Sequence, residues 1–213
     1  VSTLATAALV ALVFTAAGNV LAGPREQAKR IHDRIAGVPP SAQVLTQMEA
    51  DIVAGRPIDA ANRAMQSSAF YSVTLKNFVS PWTNREQSVF VPLNDYTATV
   101  IGMVRDDVPF NTLLSANLVY VGTGGGIPAY SPASNDHYQA LEDQNADLKT
   151  RLVASSQTAV SGLPDSATAG VITTRAAAEA FFIAGTNRVM FRFTMLNHLC
   201  RDMEQVLDTR GVP

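Results

Sequence analysis

The chain has 213 residues, of which 47% are hydrophobic and 16% charged, with 16 basic against 18 acidic side chains. This length suits one ordinary domain or two small ones, and the composition excludes extensive disorder. A formal net charge of -2 offers no basic surface for nucleic acid. The single cysteine excludes an internal disulfide framework, a cysteine-based zinc site and a CxxCH haem attachment within the chain.

The N-terminal segment has the pattern of a targeting sequence. Residues 1–22 carry no charge, and residues 4–17 are apolar apart from two threonines. The segment ends with Val20-Leu21-Ala22, whose small last residue suits signal peptidase. We therefore predict a signal peptide over residues 1–22 and export to a bacterial periplasm. No basic residue precedes the apolar run, so an uncleaved membrane anchor and a buried core helix stay open as alternatives.

Helix signals begin the mature region, and residues 23–121 are predicted to form an N-terminal helical region. One helix is expected from Pro24 to Gly37, because proline suits a first helical position and glycine a stop. Ser41 is expected to cap a second helix that Gly55 ends. A short third helix follows.

Later in this region the signals are weaker. Residues 70–79 suit a helix or a strand, and residues 80–84, which include Trp82, suit a loop. Asn94 is expected to cap a further helix. Residues 117–122 suit a short extended segment.

Residues 122–134 contain four glycines and two prolines and are predicted to be a flexible loop. A phosphate-binding loop is disfavoured, because no lysine is near and Ile127-Pro128 follows the glycines. A polar helix with a thin apolar stripe is expected over residues 136–155. It opens a C-terminal helical region, residues 135–213, which is part of the same domain or a second subdomain. A helix with so thin an apolar stripe, as predicted over residues 136–155, lies on a surface or covers a partner.

The last helix has the strongest local pattern. Thr173 or Thr174 is expected to cap it, residues 185–187 to kink it and Gly211 to end it. Apolar residues then recur at alternating steps of four and three, a seam that is predicted to pack against another helix: Val189, Phe193, Leu196, Cys200, Met203 and Leu207. The pattern predicts an all-α, irregular multi-helix domain with long Gly/Pro loops, a long kinked C-terminal helix and at most one short β pair.

The candidates for chemistry are few. His198 and Asp202 lie one helical turn apart and can touch, either as an acid–base pair or as a surface ion pair. No nucleophile can be placed beside them. His137, in the first turn of a capped helix, is expected to be exposed.

Trp82 and Cys200 complete the set of candidate residues. Trp82 belongs to an aromatic group that suits core packing, a ligand pocket or a stacking platform; its other members are Phe70, Tyr71, Phe78 and Phe90. Cys200 lies on the seam and is expected to be a buried, inert thiol, with an intermolecular disulfide as the alternative. No catalytic, cofactor-binding or metal-binding residue is assigned.

Six phrases of the sequence occur in a suggestive order: IAGVPPS at 35–41, FYSVTLKNF at 70–78, DVPFNTLLSAN at 107–117, GVITTR at 170–175, TNR at 186–188 and LCRDM at 199–203. Together they resemble a cytochrome-associated helical domain of large exported bacterial proteins, including planctomycete-type ones. The resemblance implies a c-type haem segment after the helical blocks. This chain reaches Pro213 without a CxxCH, so it is expected to be a fragment or to work without haem.

Three functional hypotheses follow. The first is an exported, non-catalytic module, a fragment or partner of a c-type cytochrome-containing envelope protein, that docks or binds through residues 122–134 and the helix after them. The second is an enzyme of unknown class with a site near Trp82 or His198. The third is a self-assembling envelope subunit whose seam is an interface. We expect no cofactor in this chain, haem c only in a downstream segment, a cytochrome or another envelope protein as partner, and membrane attachment only through an uncleaved N-terminus.

Overall fold

The computed structural model describes residues 22–182 and 187–206, which fall into two compact units divided between Ala64 and Met65. The predicted signal peptide up to residue 21, most of the predicted kink, Leu207 and Gly211 lie outside the described residues. Over the part of the chain that is described, no helix combines the length and apolar character needed to cross a bilayer.

The first unit is built from α1 (Pro24–Ala36), α2 (Ala42–Val53) and α3 (Pro57–Met65). The predicted ends are confirmed: Gly37 ends α1 with φ 72°, and the Ser41 hydroxyl accepts a hydrogen bond from an α2 amide. A small core holds the unit together, and its fully buried members are Ala28, Met48, Ala60 and Ala64.

The second unit opens with a continuous helical run, which settles the helix-or-strand alternative in favour of helix. A π-helical segment (Phe70–Leu75) leads into α4 (Lys76–Val79) and then into a 3-10 turn (Ser80–Thr83) that carries Trp82. The irregular winding changes the direction in which successive side chains point.

Helix α5 (Asp95–Arg105) is the centre of the second unit. The Asn94 side chain caps it as predicted, accepting a hydrogen bond from the Thr97 amide at 3.0 Å. Every residue from Asp95 to Met103 is buried, so other elements cover the helix on all sides. A helix of this kind forms the middle of a core.

One short antiparallel sheet packs against α5. Strand β1 (Val119–Gly122) pairs with β2 (Leu152–Ser155), which agrees with the expected extended segment and single β pair. The Tyr120 ring lies so close to Gly102 that a Cβ there would be 2.1 Å from the ring. Glycine is therefore required for this contact between helix and sheet.

The predicted single helix over residues 136–155 is wrong. The structure has α6 (Asp136–Asp143), then α7 (Leu148–Arg151), then β2. Asn145 takes a left-handed φ of 48° that interrupts the helix. The last four residues pair with β1, because tertiary pairing overrides a weak helical pattern.

The C-terminal part contains α8 (Gln157–Ser161), a 3-10 turn (Asp165–Ala167), α9 (Arg175–Phe181), α10 (Asn187–Leu199) and α11 (Met203–Val206). Of the two predicted caps, Thr174 is the one that accepts a hydrogen bond from the first turn of α9. The second unit is mostly helical, as predicted.

The seam is shorter than predicted, because α10 ends at Leu199 and Cys200 has a left-handed φ of 51°. Upstream of that point, Val189 and Phe193 pack against the core of the same unit. The Phe193 ring stacks on Phe181 with the ring centroids 4.8 Å apart.

Candidate functional site

Two of the predicted site residues, Trp82 and His198, lie against each other. Their ring centroids are 5.5 Å apart with the planes at 77°, and the Asn197 side chain donates to the Trp82 carbonyl at 3.1 Å. The 3-10 turn after α4 thus meets the last turn of α10. We call Phe78, Trp82, Tyr96 and His198 the aromatic cluster.

At its buried end, the aromatic cluster contains a hydrogen bond between His198 and Tyr96. The His198 Nε2 atom lies 2.8 Å from the hydroxyl of Tyr96, which is 1% exposed. Burial raises the pKa of the Tyr96 hydroxyl far above its usual range and lowers the pKa of His198. The phenol therefore keeps its proton and donates to a neutral imidazole.

The other end of the aromatic cluster faces solvent. The Phe78 ring packs edge-on against Trp82 at 5.2 Å between centroids and is 61% exposed. Leu199, directly after His198, is 62% exposed. We call Phe78, Trp82 and Leu199 the apolar patch.

Asp202 and Cys200 have surroundings that the sequence did not predict. Both Asp202 carboxylate oxygens accept from the Arg192 guanidinium, at 2.9 and 2.6 Å. The one-turn spacing from His198 no longer applies, because α10 ends at Leu199. For the same reason the expected burial of Cys200 is wrong: its thiol is exposed.

Asp95, which sequence analysis did not single out, is a fully buried carboxyl group. Its Oδ1 accepts from the Ala176 amide at 3.0 Å, and its Oδ2 from the Arg175 amide at 2.6 Å and the Tyr130 hydroxyl at 3.2 Å. Burial raises its pKa, and the two amide hydrogen bonds work in the opposite direction. Asp95 joins the start of α5 to the start of α9, a structural role.

His137 is 4% exposed, so its predicted exposure is wrong. Its Nε2 accepts from the Gly122 amide at 2.8 Å, and its Nδ1 lies 2.6 Å from the Pro128 carbonyl. These partners require a neutral ring with the proton on Nδ1. His137 is buried because the glycine-rich segment folds over it.

The glycine-rich segment, residues 122–134, has further anchors. The Thr123 amide donates to the Arg151 carbonyl at 2.8 Å, and Gln144 reaches the Gly126 carbonyl at 3.3 Å. These bonds, with those of His137, fix several points along it. That residues 122–134 are flexible stays a prediction.

A cleft of about 580 Å³ lies beside α9. The loop after the 3-10 turn contributes Arg85 and Glu86 to its lining, and α9 contributes Arg175 and Glu179. We call it the charged cleft. The sequence does not reveal the charged cleft, because its walls come from segments far apart in the chain.

Among the described residues, no group of three or more histidine, cysteine or acidic side chains is arranged to hold a metal ion. A scan against family models gave no match for the chain, and searches of curated proteins and of solved structures gave none either.

Proposed function

We propose that the chain is an exported, non-catalytic helical module that docks on another protein through the apolar patch. The carrying observation is the exposure of two apolar side chains near Trp82: Phe78, 61% exposed, packs on the Trp82 ring, and Leu199, 62% exposed, directly follows His198, which contacts that ring. Exposed apolar side chains that cluster around an aromatic anchor are typical of protein interfaces.

The surface behind the apolar patch favours binding. Trp82 contacts His198, whose ring is hydrogen-bonded to Tyr96, and Asn197 holds the Trp82 backbone. A surface fixed in this way loses little conformational entropy when a partner covers it.

The partner we propose is a c-type cytochrome of the bacterial envelope, with the chain acting as a part or a partner of the cytochrome-containing protein. This choice comes from the ordered phrases of the sequence, and periplasmic export from the pattern of residues 1–22. An aromatic patch with little charge suits the apolar surface that surrounds an exposed haem edge.

The docking site is placed at the apolar patch rather than at residues 122–134. In the described part of the chain, none of the large exposed apolar side chains lies in that segment. Its polar backbone groups are also partly used by His137 and Arg151.

The two other hypotheses have less support. An enzyme near Trp82 or His198 would need a reactive group, but Tyr96 is buried and its raised pKa keeps the hydroxyl protonated, so it is a poor acid and offers no phenolate as a base. Assembly through the seam would need free apolar side chains, but Val189 and Phe193 are packed on the core of their own unit.

The experiment replaces both exposed ends of the apolar patch, Phe78→Ser with Leu199→Ser. The matched control is Val53→Ser with Ile58→Ser, which removes two apolar side chains of the first unit that are 70% and 74% exposed. Each tagged full chain is expressed in the cells that make it and purified from a mild-detergent envelope extract. Haem that is retained with the chain is measured by the reduced-minus-oxidised absorbance spectrum.

Wild-type chain and control are expected to retain haem protein, and the patch variant to lose most of it. Absence of haem from all three preparations, or equal haem in all three, contradicts the proposal. Light scattering separates one further outcome: a dimer that only the patch variant loses would assign the patch to a second copy and overturn the cytochrome proposal.

A further inference from the structure

The walls of the charged cleft are fixed by internal hydrogen bonds. The Arg175 guanidinium donates to the Asn135 side chain at 2.9 Å and to Glu179 at 2.5 Å, and is largely buried. The Arg85 Nε donates to the Ala180 carbonyl at 2.7 Å, which holds that guanidinium against α9. The guanidinium groups of Arg85 and Arg175 are therefore preorganised.

Two charged groups of the cleft keep unused hydrogen-bonding capacity. Within the described residues, the terminal nitrogens of Arg85 donate to no protein group, and the Glu86 carboxylate accepts from none. The Arg175–Glu179 pair, by contrast, is satisfied internally. A ligand would therefore meet one open cation and one open carboxylate.

The balance of charge limits the class of ligand. Two arginines and two glutamates line the charged cleft, so their formal charges cancel: Arg85 and Arg175 against Glu86 and Glu179. A simple anion would be repelled by the two carboxylates, and a simple cation would be repelled by the two guanidinium groups. A molecule that carries both charges can satisfy both open groups.

We propose that the charged cleft binds a small zwitterion, a free amino acid or a dipeptide. Its carboxylate is held by the terminal nitrogens of Arg85 and its ammonium by Glu86. Val91, Pro92 and Ala176 line the cleft and contact the apolar part of the ligand. The cavity of about 580 Å³ lies within the usual range for small-molecule sites and has room for an extended dipeptide about 7 Å long.

The amides at the start of α9 take no part in this recognition. The Arg175 and Ala176 amides already donate to Asp95, and the Ala177 amide to the Thr174 hydroxyl. Binding is thus assigned to the side chains of Arg85 and Glu86, which can be replaced without touching the α5–α9 junction.

The test is isothermal titration calorimetry of the full chain with three probes: L-alanyl-L-leucine, its N-acetyl derivative and its C-terminal amide. The free dipeptide is expected to bind at least about tenfold more tightly than either derivative, because each derivative lacks one charge-assisted contact. Arg85→Gln and Glu86→Gln are each expected to weaken dipeptide binding about tenfold. Arg34→Gln, an exposed arginine of the first unit, should leave it unchanged.

Three results would overturn the proposal: no binding of the dipeptide at about 10 mM, equal binding of all three probes, or unchanged binding by both cleft variants. Since Arg85→Gln also removes the bond to the Ala180 carbonyl, thermal unfolding is measured for each variant. Glu86→Gln breaks no internal bond of the described residues, and its result decides the test if Arg85→Gln lowers the melting temperature.

Discussion

The His198 Nε2 atom lies 2.8 Å from the hydroxyl of the buried Tyr96, so the exposed end of the aromatic cluster is supported by a part-buried hydrogen bond between two neutral side chains. This bond connects the last turn of α10 to the central helix α5. It requires an unprotonated Nε2, and the stability of the second unit should therefore depend on pH.

His198→Gln should weaken the pH dependence of unfolding. Burial lowers the pKa of His198 below its ordinary value of 6.5. As the pH falls through 6.5, the unfolded chain binds a proton that the folded chain does not, so stability decreases until the pH passes below the folded pKa. Urea unfolding between about pH 7.5 and pH 5 should show a smaller loss of stability in the variant than in wild type. An identical loss in both proteins would contradict the proposed neutral state.

Asp95→Asn should lower the free energy of unfolding by about 2 kcal/mol, because an amide nitrogen cannot accept from the donors that face this position. Two of these donors are the first amides of α9. Thermal or urea unfolding measures the change. The matched control is Asp107→Asn, at an exposed aspartate just after the same helix, which should change stability by less than about 0.5 kcal/mol. If the two substitutions change the free energy of unfolding equally, the structural role of Asp95 is contradicted.

Gly102→Ala should destabilise the chain by about 1–3 kcal/mol, since the new methyl group would overlap the Tyr120 ring. Gly125→Ala provides the comparison, because a Cβ at that position has no atom within 4 Å. Chemical unfolding of both variants tests the packing of α5 on β1. A stable Gly102→Ala variant would show that the helix and the sheet are farther apart.

His137→Phe should increase hydrogen exchange at the Gly122 amide at least about tenfold, because the ring nitrogen that accepts from this amide is removed. The Tyr120 amide, which donates to the Thr99 hydroxyl, serves as the internal control and should exchange at its original rate. Heteronuclear NMR resolves the two amides in one experiment. If Gly122 exchange stays unchanged, His137 does not anchor the glycine-rich segment.

Local signals predicted the helix ends well. Gly37, Ser41, Asn94 and Thr174 act as predicted, because a cap depends on residues within one turn of it. The helix predicted over residues 136–155 failed where β2 pairs with a strand thirty residues earlier in the chain. Strand pairing depends on a distant partner that helical periodicity does not reveal.

The candidate site was predicted only in part. Trp82 and His198 were each selected for their chemistry, but their contact joins distant segments and could not be read from either position. Asp95 was missed for the same reason, since the two amides that it accepts from lie 80 and 81 residues away. The burial of His137 was missed because it depends on how the preceding glycine-rich segment folds over the ring. The burial of Cys200 was wrongly predicted because the apolar pattern of the sequence continues past Leu199, the residue at which the helix ends.

Docking on a cytochrome is tested most directly by cross-linking from Cys200, whose exposed thiol follows Leu199 of the apolar patch. A photoactivatable maleimide is attached to this thiol, the labelled chain is irradiated in envelope extract, and denaturing gels are stained for covalently bound haem. The control moves the label to the exposed Ala50 of the first unit, as Ala50→Cys in a Cys200→Ser background.

Docking through the apolar patch predicts a haem-stained product, larger than the labelled chain, that forms from Cys200, is lost with Phe78→Ser and does not form from position 50. Cross-linked products without haem, or the same haem-stained product from both label positions, would contradict it.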